Sequence, residues 1–151
     1  MIKIIGVGKI KEKFYREALL EYQKRLTKYT KLDIIEVPDY STGNIELDKL
    51  KEKEQIEKFI KEKDYIITLE IEGKQYDSIE FSHLIEKINM THSNITFVIG
   101  GSNGLHKELQ KRSDLALSFS KFTFPHQLFR IILLEQIYRS FKIKNNENYH
   151  K

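Results

Sequence analysis

The sequence predicts an α/β protein, with a mostly parallel sheet flanked by helices. Short runs rich in β-branched residues alternate with longer segments whose apolar residues recur at helical spacing, which is the pattern of successive βα units. The runs expected to form strands are Ile2–Val7, Leu32–Val37, Tyr65–Ile71, Ile95–Ile99 and Leu115–Ser118. A chain of 151 residues with 40% hydrophobic content has the size of one compact domain, and it contains no internal repeat or linker. We therefore expect a single domain over residues 1–151.

The segments between the first three strands predict two helices. The first has an apolar stripe typical of a helix that covers a sheet, formed by Phe14, Ala18, Tyr22 and Leu26. Pro38 and the polar residues after it end the second strand. The segment 46–63, rich in lysine and glutamate, then predicts a solvated helix whose inward side chains are Leu50, Ile56, Phe59 and Ile60.

The third and the last helices carry more specific signals. Asp77 can accept from a free amide of the first turn while Glu80 reaches back, and the expected buried face is Phe81, Leu84, Ile85 and Ile88. From Gln127 to Ile143, apolar residues point in every direction around the helical wheel. Because one sheet covers only one side of a helix, we expect a homodimer packed through this helix. The alternative is a helix buried wholly within one chain.

Composition excludes several functional classes. The absence of cysteine rules out disulfides, thiolate metal ligands and a cysteine nucleophile. The five histidines lack metal-ligand spacing and no acidic cluster accompanies them, so no metal site is expected. The first apolar stretch is too short for a signal peptide or a membrane span, so we expect a cytoplasmic protein with no membrane partner. A net charge of +4 permits a polyanionic partner without requiring one.

A glycine-rich turn follows the fourth strand. Residues 100–104 are Gly-Gly-Ser-Asn-Gly, where exposed backbone amides can approach a ligand closely. The turn lacks the Gly-Lys-Ser/Thr end of a phosphate-binding loop, and Gly6-Val-Gly8 lacks the third glycine of a dinucleotide fingerprint. An ordinary tight turn between a strand and a helix is the alternative.

Two further segments could carry chemistry. Residues 119–127 place aromatic and hydroxyl side chains after the last strand, where ligands bind in open α/β sheets; ordinary core packing of the phenylalanines is the alternative. The tail Asn148–Lys151 combines an aromatic ring, an imidazole and a cation, which suits contact with RNA. Chain ends are usually disordered, so a tail without function is the alternative there.

Five segments in the same order resemble one known family. They are residues 5–9, Ile-Gly-Val-Gly-Lys, then 68–74, 97–106, 117–127 and the terminal Tyr-His-Lys. Together they span nearly the whole chain, and they are similar to the RlmH family of ribosomal-RNA methyltransferases, which belongs to the SPOUT class. The resemblance implies a C-terminal trefoil knot, an exception to the rule that chains avoid knots. It also implies a homodimer with the last helix in the interface.

The resemblance implies S-adenosyl-L-methionine as cofactor, bound in the knotted loops. The matching positions are Leu69, Gly100, Phe119, Ser120, Lys121, Phe122, Thr123 and Phe124. The cofactor carries no phosphate, so backbone groups and apolar walls suffice to hold it, which agrees with the missing phosphate fingerprints.

The implied reaction is methylation of N3 of a pseudouridine in 23S rRNA, with the assembled ribosome as substrate. The implied catalytic group is Tyr149, His150 and Arg130, in which Tyr149 or His150 assists removal of the N3 proton and Arg130 contacts a phosphate or the base edge. RNA contacts are expected from Lys151, Lys9, Lys11 and Arg16. For the last three, a solvated helix face is the alternative.

One departure from the family and two other functions stay open. Residues 145–148, Asn-Asn-Glu-Asn, stand where a glycine-containing approach to the tail is usual, although asparagine tolerates left-handed backbone. The other functions are an RNA-binding SPOUT-fold protein without catalysis and a SPOUT methyltransferase that acts on tRNA.

Overall fold

The computed structural model describes residues 1–151 as five strands alternating with five helices. The elements are β1 (Ile2–Val7), α1 (Lys13–Leu26), β2 (Leu32–Val37), α2 (Ile45–Glu57), β3 (Tyr65–Gln75), α3 (Ser78–Thr91), β4 (Ile95–Ile99), α4 (Lys107–Arg112), β5 (Leu115–Ser118) and α5 (His126–Lys144). All strands pair in parallel in one sheet of order β2-β1-β4-β3-β5. The predicted α/β class is confirmed. Strand order does not define a knot, so the trefoil knot stays a prediction.

Helices cover both faces of the sheet. One core, which includes Ile4 and Phe97, packs under α1, α3 and α5, and the other, which includes Ile5 and Val98, packs under α2 and α4. Neighbouring residues of one strand thus face opposite cores, as the alternation of side chains requires. Because both faces are covered, β1 and β4 are buried along their whole length, which explains their nearly continuous apolar sequences.

The second helix is shorter than the sequence predicts. It ends at Glu57 rather than near residue 63, and the Phe59 side chain, expected to point inward, is 40% exposed. The prediction was wrong there because the chain turns at 58–60 and continues irregularly into β3. Ile56 and Ile60 are buried as expected, and Leu50 is half-buried.

The buried side of α2 also carries two carboxylates that hydropathy did not single out. Asp48 accepts hydrogen bonds from the Thr42 amide at 3.0 Å and the Thr42 hydroxyl at 2.6 Å, and Glu52 accepts from the Tyr40 amide at 3.1 Å. Both carboxylates are buried because they satisfy the backbone of the polar loop before α2.

The predicted start of α3 is confirmed. Asp77 Oδ1 accepts from the Glu80 amide, Glu80 Oε2 accepts from the Asp77 amide, and both distances are 2.8 Å. Phe81, Ile85 and Ile88 are buried, and Leu84 is half-buried against the same core.

Helix α5 lies between α1 and α3 above the sheet. Every residue from 126 to 143 is at least partly covered within the single chain. Packing within one chain therefore accounts for much of the apolar wheel, and the wheel alone no longer requires a second copy. No helix of the structure has both the length and the apolar character needed to cross a membrane.

The end of α5 is closed by an asparagine in the left-handed region. Asn146 has φ of 53°, and the Glu147 amide donates to the Lys142 carbonyl at 3.0 Å, the closure usually made with glycine. Glu147 then accepts from the Tyr29 hydroxyl and from Lys142 Nζ, both at 2.9 Å. The asparagine thus turns the chain into the tail as the sequence suggested.

We expect Asn146→Val to lower the free energy of unfolding by about 1–2 kcal/mol, because a side chain branched at Cβ clashes with its own backbone at positive φ. Asn146→Gly should leave the stability unchanged or raise it slightly. Urea denaturation followed by circular dichroism measures both variants. A valine variant as stable as the starting protein would contradict this account of the turn.

Candidate functional site

A cavity of about 330 Å³ opens beyond the carboxyl ends of β4 and β5, beside the middle of β3. It is lined by residues 69–72 of β3, by the first residues after β4 and β5, and by the loop that leads into α5. This is the position at which open parallel sheets bind ligands, because loops from adjacent strands converge there. The volume lies in the range of small-molecule sites.

The cavity has a largely aromatic wall. Phe119 and Phe129 lie with ring centroids 5.2 Å apart, and Phe124 and Phe129 lie 5.9 Å apart. Phe119 also contacts Phe81 of the core, which anchors this wall to α3. Phe122 stands at the rim and is 77% exposed. The phenylalanines therefore divide between core packing and cavity wall, rather than belonging only to the core.

Seven of the eight positions that the resemblance assigns to the cofactor line this one cavity. They are Leu69, Gly100, Phe119, Ser120, Phe122, Thr123 and Phe124. Lys121 is exposed and does not line the cavity. Three separate parts of the chain thus converge on one space, although their role in binding a cofactor stays a prediction.

A local irregularity in β3 adds wall residues that the sequence did not single out. The strand was expected to end at Ile71 but runs to Gln75, and its pairing with β5 shifts so that both Leu69 and Lys74 lie opposite Leu117. The intervening residues bulge and bring Glu70, Ile71 and Glu72 to the cavity. Gly73 permits the bulge, since a Cβ there would lie 2.7 Å from the backbone of Ala116 and Leu117.

One carboxylate of this bulge is held in place by neighbouring side chains. Glu70 Oε2 accepts from the Thr68 hydroxyl at 2.6 Å, and Oε1 accepts from Gln110 Nε2 at 2.9 Å. Thr68 is fully buried, and its hydroxyl oxygen lies 3.0 Å from the Ser113 hydroxyl. Gln110 and Ser113 belong to the α4 region, which no periodicity of the sequence relates to β3.

His126 contributes a neutral imidazole to the cavity wall. Burial lowers its pKa, the nearby Arg130 guanidinium lowers it further, and Asp39 acts in the opposite direction. A lowered pKa keeps the ring uncharged at neutral pH, so it offers one donor and one acceptor. His126 lies within the 117–127 segment, but the sequence pattern did not mark it as a residue of the cavity wall.

Arg130 is buried away from the cavity. It is 2% exposed, and its guanidinium donates to the carbonyls of Val7 and Gly8, each at 2.7 Å, and to Glu36 Oε2 at 2.9 Å. Gly6 leaves the space for it, since a Cβ there would lie 2.6 Å from Arg130 Nε. Burial lowers the pKa of Arg130, while Glu36 opposes that shift. The structure therefore ties Arg130 to the end of β1 and does not bring it to the other predicted catalytic residues.

We expect Arg130→Met to lower the free energy of unfolding by about 2–4 kcal/mol, since it leaves the Val7 and Gly8 carbonyls without this donor and Glu36 without its counter-charge. Urea denaturation measures the loss. Arg112→Met, which removes a more exposed guanidinium 3.7 Å from Glu57, is the control and should change stability little. Equal stabilities of the two variants would contradict the structural role of Arg130.

The tail folds back on α5 of the same chain. The Tyr149 hydroxyl donates to Glu135 Oε1 at 3.1 Å, and its ring lies 5.0 Å from that of Tyr138. The Arg139 guanidinium stacks 4.7 Å from the Tyr149 ring and lies 3.1 Å from His150 Nδ1. None of these residues lines the cavity. Within one chain, the predicted catalytic tail and the predicted cofactor positions therefore form two separate groups.

Both predicted bases of the tail are held by hydrogen bonds in this arrangement. Burial, together with the hydrogen bond to Glu135, raises the pKa of Tyr149 to about 12, so its phenol stays protonated and can donate. A guanidinium can only donate, so His150 Nδ1 accepts from Arg139. His150 Nδ1 must leave this contact before it can accept a proton.

Three of the basic residues predicted to contact RNA lie on the loop after β1 and in the first turn of α1. Lys9, Lys11 and Arg16 are exposed, and the Arg16 guanidinium donates to the Lys11 carbonyl. Gln127 Oε1 accepts from the amides of Lys11 at 2.8 Å and Glu12 at 3.2 Å, which holds the loop against the start of α5. The loop therefore lies beside the start of α5, where His126 is the first residue. Lys151, also exposed, is the last residue of the tail.

No three His, Asp or Glu side chains come close enough to hold a metal ion. The acidic residues of the cavity wall are Glu70 and Glu72, and its one imidazole is His126. These side chains can donate or accept hydrogen bonds at the cavity wall.

Two solved structures are similar in fold. A probable methylase family protein from Haemophilus influenzae Rd KW20 is 12% identical, with a TM-score of 0.59 over 99% of this chain and 70% of that chain. The SpoU methyltransferase AviRb from Streptomyces viridochromogenes, in complex with AdoMet, is 10% identical, with a TM-score of 0.48 over 92% of this chain and 57% of that chain. The first likeness supports the fold.

A protein-family model describes the sequence itself. The model for "Predicted SPOUT methyltransferase" matches residues 1–150. The matched residues include the three parts of the chain that line the cavity and all but the last residue of the tail. This chain belongs to the SPOUT methyltransferase family.

Proposed function

We propose that this protein is the RlmH-type member of its family, an S-adenosyl-L-methionine-dependent enzyme that methylates N3 of a pseudouridine in 23S rRNA. One observation carries the proposal: the positions that resemble the family's cofactor site come from three separate segments and line one cavity. We further propose that it acts in the cytoplasm on the assembled ribosome.

The residues of the cavity fit the cofactor. The aromatic wall of Phe119, Phe124 and Phe129 can enclose a flat adenine ring, and the turn 100–104 offers backbone groups for polar atoms. The carboxylate of Glu70 and the neutral imidazole of His126 can hydrogen-bond to the rest of the molecule. When bound, S-adenosyl-L-methionine supplies an electrophilic methyl group.

The protein acts as a homodimer in this proposal, with each site built from two chains. Tyr149 and His150 contact α5 of their own chain and do not reach its cavity. A partner that presents its α5 and tail to the cavity brings the two groups together. Ile71 and Phe122 at the rim, both largely exposed in the single chain, are suited to packing against that partner.

The chain's residues have distinct tasks in the proposed reaction. Lys9, Lys11 and Arg16 bind phosphates beside the cavity, and Lys151 extends the cationic surface from the tail. Tyr149 and His150 orient the pyrimidine by hydrogen bonds, so that the N3 atom faces the methyl group. His150, released from Arg139, takes the N3 proton on its freed Nδ1, while the Tyr149 phenol keeps its own proton and acts as a hydrogen-bond donor.

Transfer of radiolabelled methyl to ribosomes that lack the native modification tests the proposal. Intact ribosomes, deproteinised 23S rRNA and tRNA are compared under identical conditions with the same labelled cofactor. Label in 23S rRNA of intact ribosomes, located at a pseudouridine N3, is the expected result. Label in tRNA alone would replace this function by the tRNA-modifying one. Cofactor binding without label in any RNA, or no binding at all, would favour an RNA-binding protein without catalysis.

A further inference from the structure

Glu70 differs from the other acidic residue of the cavity wall. Its two carboxylate oxygens accept from Thr68 at 2.6 Å and from Gln110 at 2.9 Å, so the group is held in one orientation. Glu72, two residues further along the same bulge, also lines the cavity but is exposed and forms no hydrogen bond or ion pair within the chain. The structure thus builds a fixed acceptor at one position and leaves the other free.

The supports of Glu70 come from a buried network. Thr68 has a single hydroxyl proton, and because it is donated to the carboxylate, the Thr68 oxygen can accept from the Ser113 hydroxyl 3.0 Å away. Both oxygens of the Glu70 carboxylate accept hydrogen bonds, and each keeps a lone pair after the contacts from Thr68 and Gln110. Both remaining acceptors belong to a residue of the cavity wall.

We infer that Glu70 is the residue that recognises the vicinal hydroxyls of the cofactor's ribose. Two neighbouring acceptors on one rigid carboxylate match two hydroxyls on adjacent carbons, and an acidic side chain beyond a parallel strand performs this task in other nucleoside sites. The ammonium group of the cofactor's amino-acid portion has only one nitrogen atom, so it matches the two acceptor oxygens of Glu70 less well. The inference rests on the proposed cofactor, and it assigns to Glu70 a contact that selects ribonucleosides over deoxyribonucleosides.

Titration calorimetry with three ligands tests the assignment. S-adenosylmethionine, S-adenosylhomocysteine and 5′-methylthioadenosine all carry the ribose, but the last lacks the amino-acid portion. We expect Glu70→Gln to weaken all three by a similar factor, roughly tenfold to a hundredfold, because a charged acceptor is lost. Glu62→Gln, at an exposed carboxylate outside the cavity, is the control and should bind all three like the starting protein.

A change in the ligand tests the same contact in the unmutated protein. The 2′-deoxy form of 5′-methylthioadenosine should bind more weakly than the ribose form, also by roughly tenfold or more. In Glu70→Gln, removal of the hydroxyl should cost little further affinity, because the two changes remove one interaction. The comparison of the ribose and 2′-deoxy ligands remains informative even if Glu70→Gln is poorly folded, because it needs only the natural chain.

The outcomes are distinct. Weaker binding of S-adenosylmethionine and S-adenosylhomocysteine but unchanged binding of 5′-methylthioadenosine would assign Glu70 to the ammonium group and overturn the inference. Unchanged binding of every ligand by Glu70→Gln, or no preference of the natural chain for the ribose form, would overturn it as well. Failure of the natural chain to bind any of the ligands would instead overturn the proposed function.

Discussion

Removal of the imidazole of His150 is expected to reduce methyl transfer at least 100-fold while leaving cofactor binding unchanged. The expected size follows from the contribution of a positioned acid or base to catalysis, about 10²–10⁴. Cofactor binding should not change along with methyl transfer, because His150 contacts Arg139 and does not line the cavity of its own chain. Single-turnover transfer to ribosomes and calorimetry with the cofactor measure the two quantities. Asn148→Ala, a change at an exposed tail residue without a side-chain hydrogen bond, is the control.

Mixed dimers test whether the tail acts in the partner's cavity. Thr123→Trp fills the exposed part of the cavity wall, so this variant keeps its tail but loses the cofactor site. Mixed with His150→Ala, it forms dimers in which one of the two sites has both an intact cavity and an intact tail. Random exchange should restore about a quarter of the original activity, given a twofold dimer. Activity no higher than that of the separate variants would place the tail and cavity of one site on the same chain.

Strand positions could be predicted from the sequence because the strands are short runs rich in apolar and β-branched residues, and β1 and β4, which are buried on both faces, are nearly continuous apolar runs. The predicted limits match the observed strands, with β3 as the exception. The continuation of β3 depends on pairing of a polar segment with β5 across a bulge, which is a tertiary contact. No local property of Glu70, Glu72 or Lys74 signals that pairing, so the part of the cavity wall formed by Glu70 and Glu72 was not predicted.

The residues of the candidate site also divide into those that the sequence predicted and those that it did not. Resemblance located seven wall residues, because a family motif preserves sequence at positions that only meet in three dimensions. It gave no indication that Arg130 is enclosed by the end of β1, because a buried arginine and a catalytic one look alike in sequence. Gly6 was the available signal, since the small residue leaves room for the guanidinium. Gln110 carried no such signal, as its partner Glu70 lies 40 residues earlier.

The hydropathy of the sequence does not predict the burial of Lys3, a charged residue in the buried strand β1. Lys3 Nζ donates to the Phe59 carbonyl at 2.6 Å and pairs with Asp64 Oδ2 at 3.2 Å, and both side chains are almost fully buried. Asp64 also accepts from Thr96 Oγ1 at 3.0 Å and Asn94 Nδ2 at 3.1 Å. The pair joins the amino ends of β1, β3 and β4, the edge of the sheet opposite the cavity.

We expect Asp64→Ala to lower the free energy of unfolding by about 3–5 kcal/mol, because it leaves the Lys3 ammonium buried without a counter-charge. Glu17→Ala, which breaks an exposed pair with Lys13 at 3.7 Å, is the control and should have little effect. Urea denaturation at neutral pH measures both. A loss as small as that of the control would mean that water reaches Lys3 in the folded protein.

The same pair gives the stability of the protein a defined dependence on pH. Burial by itself raises the pKa of Asp64, but the hydrogen bonds from the Lys61 amide, Lys3, Asn94 and Thr96 outweigh it, and the pKa is lowered. A folded-state pKa below the unfolded value of about 3.9 means that the stabilisation is fully present above that value. It is lost as the pH falls through the folded-state pKa, where Asp64 becomes protonated. The difference in stability between the natural chain and Asp64→Ala should therefore be constant from pH 7 to about pH 5 and shrink in more acidic solution. A difference that grows on acidification would show that the carboxyl is protonated in the folded protein, and the ion pair would then not be what holds these three strands together.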